Sequence, residues 1–279
     1  MNLDVLICTL NEGIARVPEI LLPVRADVNY IVSMQYTDES YLQFIPQSLR
    51  ERADVRVVTL CGKGLSRNRN NALRHATGDI ALIADDDVRY CDEYFNRVIA
   101  TFEQNPQLDI AQFKIKATDG GCIKEYPDFC YTYPHVPKGM FIASIEMAMR
   151  LSSVRERVWF DERFGLGSPH FICGEEDIFI CDTCRAGLTV SYFPYFIVEH
   201  PSESTGAHTY TDARVMQAKG AVQYYIHGAS AWLRMFKFAL TSALAHRGRF
   251  DVLLRHTFSG INYYRKVVRY ESAVGRRCE

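Results

Sequence analysis

Short apolar runs alternate with amphipathic stretches over the first two hundred residues, and their lengths predict the elements. Residues 3–10 (LDVLICTL) form a β-prone run that stops at Asn11-Glu12-Gly13, a buried first strand ending in a turn. Strands follow at 28–34 (VNYIVSM) and 55–60 (VRVVTL), with a helical pattern around 40–52 between them. Residues 65–76 read as a helix closed by Thr77-Gly78, and 79–84 (DIALIA) as an apolar strand cut short by Asp85, Asp86 and Asp87. A helix over 92–104 stops before Pro106, and 108–116 alternates as a strand. Residues 117–140, rich in Gly, Pro and Tyr, predict an irregular loop, while 141–151 suits strand or helix equally. A helix over 175–186 and a strand over 189–198 follow, and 209–270 reads as helical throughout. Strands separated by helical segments predict an α/β fold with a largely parallel sheet.

Length and composition fit that pattern: 279 residues, 48% of them hydrophobic, suffice for one large α/β domain or one domain plus an appendage. Charge divides the chain. From residue 213 onward 12 Lys/Arg face three acids, whereas residues 1–212 hold 20 basic and 30 acidic residues. An acidic body and a basic tail piece predict domains at 1–208 and 209–279. No basic leader precedes the first strand, and the best transmembrane candidate, 229–245, is interrupted by Arg234 and Lys237. The nine cysteines have no regular spacing, and Cys181-Asp182-Thr183-Cys184 is a lone CxxC inside a helical pattern. Reduced thiols and a cytoplasmic location are the expectation.

Two acidic clusters carry the candidate chemistry. Asp85, Asp86 and Asp87 follow an apolar strand, where adjacent carboxylates repel one another unless a cation lies among them. Such ligands suit Mg²⁺ or Mn²⁺, and ligands of open α/β sheets bind beyond the carboxyl ends of strands. A solvated acidic turn or a helix N-cap would use the same residues. Gly174-Glu175-Glu176-Asp177 opens a helix, where one acid serves as a cap and three exceed that need. One of them could act as general base toward a hydroxyl.

In order along the chain, five segments resemble those of family 2 glycosyltransferases with the GT-A fold. They are Val5-Leu6-Ile7-Cys8-Thr9-Leu10-Asn11-Glu12, the Gly64–Ala72 helix start (GLSRNRNNA), the strand Gly78–Asp87, Phe160-Asp161-Glu162-Arg163-Phe164-Gly165, and Gly174–Asp177. The resemblance covers about residues 3 to 205. It implies a Rossmann-like sheet, mixed but mainly parallel and flanked by helices, with a helical C-terminal extension. It also implies an inverting transferase of the hexosyl type that moves a sugar from a nucleotide-diphosphate donor, with a UDP-sugar expected, onto a saccharide hydroxyl. Thr9, Asn11 and Glu12 would lie against the nucleotide, Asp85 near the ribose or sugar, and Asp87 on the metal. Asp177 would be the base, with Glu176 helping to position it or the acceptor. Asp86 is counted with the donor contacts, although a spacer role serves it equally. Arg69 could pair with the diphosphate or with Asp85, and His200 is a candidate metal ligand after the last strand. His170 and His208 are undistinguished candidates for the cleft. The family's second strand ends in two aspartates, and here Ser33-Met34-Gln35-Tyr36-Thr37-Asp38 keeps only Asp38 in register, leaving Gln35 to meet a nucleobase edge.

The chemistry agrees with those roles. A diphosphate leaving group needs a cation, Mn²⁺ or Mg²⁺, and an acceptor hydroxyl needs a base, so two separated carboxylate clusters are required. The basic, aromatic stretch 213–270 suits either a lid on the core or peripheral contact with the inner face of the cell membrane; a nucleic-acid surface fits an acidic body poorly. The expected acceptor is a saccharide or lipid-linked saccharide of surface-polysaccharide assembly. Two other readings are a sugar-phosphate nucleotidyltransferase, which would want a Gly-rich, basic phosphate loop where 11–16 is NEGIAR, and a non-catalytic, membrane-associated sugar-nucleotide-binding module.

Overall fold

The computed structural model describes residues 1–121, 123–202 and 210–275, with only the backbone over 270–275. His208, Glu203 and the domain boundary expected at 208/209 lie outside the described residues. The chain divides into two compact units, Met1–Glu162 with Phe179–Ser202, and Arg163–Ile178 with the chain from Glu203 onward.

The first unit is built on an eight-stranded sheet. In chain order its strands are β1 (Leu3–Leu10), β2 (Val28–Tyr36), β3 (Val55–Cys61), β4 (Ile80–Asp85), β5 (Ile110–Ala117), β6 (Tyr131–Thr132), β7 (Met147–Arg150) and β8 (Val190–His200). They lie side by side as β3-β2-β1-β4-β7-β5-β8-β6. β1 pairs in parallel with β2 and β4, β2 with β3, and β5 with β8, whereas β7 and β6 run antiparallel to their neighbours. The expected mixed, mainly parallel sheet is therefore present. β1 is buried from Leu3 to Thr9, as a central strand covered on both faces must be. Alternate residues serve two cores: Val5, Ile7, Val32 and Met34 face one, and Leu6, Cys8, Ile31 and Val58 the other. The helices of this unit are α1 (Gln47–Glu51), α2 (Leu65–His75), α3 (Asp92–Gln104) and α4 (Leu151–Val154).

Several expectations need correction. Residues 40–52 are a 3-10 turn (Glu39–Phe44) and the five-residue α1, because Pro46 cannot continue a helix and instead caps a new one. Thr77-Gly78 is no left-handed cap. Both amides donate to the Asp4 carboxylate, at 2.5 and 2.8 Å, which ties the exit of α2 to the first strand. The loop 117–140 contains β6, and 141–151 resolves into a 3-10 turn, β7 and α4 in succession.

Helix α5 (Glu175–Arg185) begins in the second unit, which also holds α6 (Ala213–His227), α7 (Ala231–Leu244) and α8 (Phe250–Gly275). The helical character expected over 209–270 is present as three helices, separated at Gly228, which has positive φ, and at 245–249. α6 and α8 pack with their backbones close together. A Cβ on Gly220 would clash with the carbonyl oxygen of Thr257, and one on Gly260 with that of Gln217. Gly260→Ala is expected to lower unfolding stability by about 2 kcal/mol, since backbone cannot yield as a side chain can; thermal unfolding of the variant beside wild type checks it.

Candidate active site

The carboxyl ends of β1, β2 and β4 meet because those strands are parallel neighbours, and every candidate donor residue of the first unit lies there. At the end of β1, Thr9 is buried and its hydroxyl donates to the Asp86 carboxylate. Asn11, with φ +53°, turns the chain; its Oδ1 accepts from the Thr37 amide at 2.9 Å, joining the ends of β1 and β2. Glu12 is exposed. Asp38 caps the next turn by accepting from the Ser40 amide at 2.9 Å and from its hydroxyl, which lowers its pKa. Gln35 is buried on β2, and its Nε2 has no hydrogen-bond partner among the described residues.

The three aspartates have separate surroundings. Asp85 stands 3.6 Å from the guanidinium of Arg69, which is 1% exposed. Burial raises the Asp85 pKa, and Arg69 opposes it. Arg69 also donates to Ser144 Oγ at 2.6 Å and lies over the Phe160 ring at 5.5 Å, so it is sequestered among protein groups. Asp86 is paired with Arg16 at 2.5 Å as well as with Thr9, so it fastens β1 to β4. Asp87 is half exposed and faces His200, whose Nε2 is 3.4 Å from Asp87 Oδ1.

That last approach has a backbone cause. Arg89 and Glu199 exchange amide-to-carbonyl hydrogen bonds at 2.9 Å, pinning the end of β8 beside the segment after β4. The hydrogen bond between the Asp87 and His200 side chains lowers the pKa of Asp87 and raises that of His200. Asp119 holds the following turn, accepting from the Ser202 amide and hydroxyl at 2.9 and 2.7 Å and from the Gly121 amide; these bonds depress its pKa to about 2. Asp119 and Arg16 were not singled out in the sequence, and the short range of DxG before a turn was the only available sign of the former.

Among the described residues no group of three or more His, Cys, Asp or Glu side chains is arranged to hold a metal ion. Asp87 and His200 nevertheless offer one hard oxygen and one imidazole nitrogen. Mg²⁺ and Mn²⁺ take that number of protein donors where substrate phosphates complete the shell, and an ion would displace the shared proton. The residues present fit such a group.

In the second unit, Gly174, with φ +97°, leads into α5, where a side chain would strike Val222. Glu175 is buried in the first turn, Glu176 is partly buried and Asp177 is exposed. Asp177 reaches solvent yet has dense protein around it, and this desolvation lifts its pKa to about 6; Glu176 adds to the rise and Lys219 on α6 opposes it. Lys219 was not anticipated. His170 hydrogen-bonds the Tyr263 hydroxyl at 3.0 Å within the same unit.

Residues 4–147, more than half of the chain, match the family model described as Glycosyl transferase family 2. The chain belongs to that family. It is a glycosyltransferase with the GT-A fold. The structure is similar to the crystal structure of S. aureus TarS 1–349, with TM-score 0.61 and 15% identity over 95% of this chain and 92% of that one. It is also similar to the complexes of the same TarS fragment with UDP-GlcNAc (TM-score 0.56, 15% identity) and with UDP (0.55, 18%), each over 98% of this chain and 92% of that one. No curated protein matches the sequence.

Arg69→Met leaves Asp85 without its cation in a crowded site. Discounting for the partial exposure of Asp85, the substitution is expected to cost about 2–3 kcal/mol of stability, read from the midpoint of urea unfolding.

Proposed function

We propose that the protein transfers a hexosyl group from a nucleotide-diphosphate donor, a UDP-sugar, to a hydroxyl of a saccharide acceptor with inversion at the anomeric carbon, in surface-polysaccharide assembly. The observation that carries the reading is the gathering of Asp87 and His200 next to an Asp85 braced by Arg69, at the carboxyl ends of the parallel strands of a family 2 glycosyltransferase. Asp87 and His200 would hold Mn²⁺ or Mg²⁺, which when bound supplies positive charge to the diphosphate leaving group. Thr9, Asn11 and Glu12 line the nucleotide side, with Asp85 toward the ribose or sugar. The orphan Nε2 of Gln35 is a donor for a base carbonyl, in place of the carboxylate usual at the end of the second strand. The UDP bound by TarS supports a uridine donor.

Asp177 removes the proton from the acceptor hydroxyl as the new glycosidic bond forms, and Glu176 keeps its basicity raised. The division proposed is a transferase domain over 1–208 and a basic helical region over 209–279. That region contacts the inner face of the cell membrane, where a lipid-linked saccharide would be presented. No helix of the described residues is long and apolar enough to cross a membrane.

Incubation with a panel of nucleotide sugars and Mn²⁺ is expected to give nucleotide diphosphate release that EDTA stops; no turnover and no binding of any donor would refute the transferase reading. Asp177→Asn should lower acceptor-dependent turnover by about 10²–10⁴-fold. The base acts when deprotonated, so the rate should climb as pH rises through about 6 and level off above it. In Lys219→Met the charge that lowers the Asp177 pKa is gone, and the midpoint of the pH–rate profile should move upward.

A further inference from the structure

Between Asp212 and Asp251 the chain carries no acidic residue, and six Lys/Arg fall in that stretch. Helix α7 lies in its middle. One face, Ala231, Met235, Ala239 and Ser242, is buried, with Met216 and Leu253 packed beside Ala239 and Ile261 beside Met235. The opposite face would ordinarily be polar. It is apolar instead: Leu233 and Leu244 are each 73% exposed, and Phe236 and Leu240 each 43%. The spacing 233, 236, 240, 244 sets these side chains on one stripe about 16 Å long. Exposed Arg234 and Lys237 run along its edge and exposed Arg247 follows its end, while Arg249 beyond it is paired with Asp251 at 3.0 Å.

We propose that the outer stripe of α7 is a docking surface for an anionic lipid bilayer. The helix lies flat, with Leu233, Phe236, Leu240 and Leu244 in the boundary between headgroups and acyl chains and Arg234, Lys237 and Arg247 on lipid phosphates. Charge selects this occupant. A second copy meeting the stripe would set Arg234 and Lys237 among like charges, with no acid from 213 to 250 to pair them, whereas an anionic surface receives the same cations favourably. The element is also of the interfacial kind: 14 residues cannot span a bilayer, and an apolar face edged by Lys and Arg is what an in-plane helix presents. This assignment rests on the membrane-side reading of the C-terminal region and narrows it to one helix face.

The test mixes the full chain with vesicles of phosphatidylcholine alone and with vesicles containing phosphatidylglycerol, and measures the bound fraction by sedimentation. Wild type is compared with L233S/L244S and with R234E/K237E, circular dichroism and thermal unfolding reporting that each is folded. Wild type should bind the anionic vesicles and not the neutral ones, with binding weakened by salt, and each variant should lose about tenfold or more in partitioning. A wild type that fails to bind anionic vesicles overturns the membrane reading as a whole. Equal binding by wild type and both variants overturns the assignment to α7 alone. Self-association abolished by L233S/L244S, without vesicle binding, replaces the bilayer with a second copy. Donor turnover in vesicle-free solution tests the transferase chemistry separately from all of these.

Discussion

The buried guanidinium of Arg69 is the interaction on which the carboxyl end of the sheet depends. It binds the last residue of β4 through Asp85, the turn before β7 through Ser144, and the Phe160 ring, so three separate stretches of chain share one charge. An arginine suits this position because its planar fork can serve several partners and lie on an aromatic face at once. The pair is not self-sufficient. Burial outweighs Arg69 in setting the Asp85 pKa, which still rises. The carboxylate therefore sits where a further cation or a hydroxyl donor is welcome, as a donor-sugar contact requires.

Around that centre, each acid of the Asp85–Asp87 run is distinguished by its neighbours rather than by its type. Asp86 is committed to Arg16 and Thr9 and works as a fastener between strands. Asp87 alone combines exposure with a second donor, His200. The same logic separates the acids at the head of α5: Glu175 is buried, while Asp177 reaches solvent with a raised pKa, the combination a base needs near neutral pH.

Much of this was legible in the sequence. The strands announced themselves because buried parallel strands are continuous apolar runs, and β1 and β4 end where polar residues begin. The two acidic clusters were equally plain. What stayed hidden depends on long-range contact. Nothing near Arg16 or Lys219 in sequence points to Asp86 or Asp177. His200 was a lone histidine until the Arg89–Glu199 bridge set it beside Asp87. The helical tail had the right composition, but its breaks and the outward-facing apolar side of α7 depend on which face α6 and α8 cover. The helical pattern over 40–52 is present as two short segments because Pro46 interrupts it, a break that helical spacing alone does not convey.

In the proposed division of labour, Asp87 and His200 would serve the donor diphosphate through a divalent ion, and Asp177 would serve the acceptor. Calorimetric titration of UDP into wild type, Asp87→Ala and Asp177→Asn, each with and without Mn²⁺, tests it most directly. Mn²⁺-dependent binding is expected of wild type and Asp177→Asn alike, with the Mn²⁺ dependence lost in Asp87→Ala. Unchanged Mn²⁺-dependent binding in Asp87→Ala, or loss of UDP binding in Asp177→Asn, would contradict it.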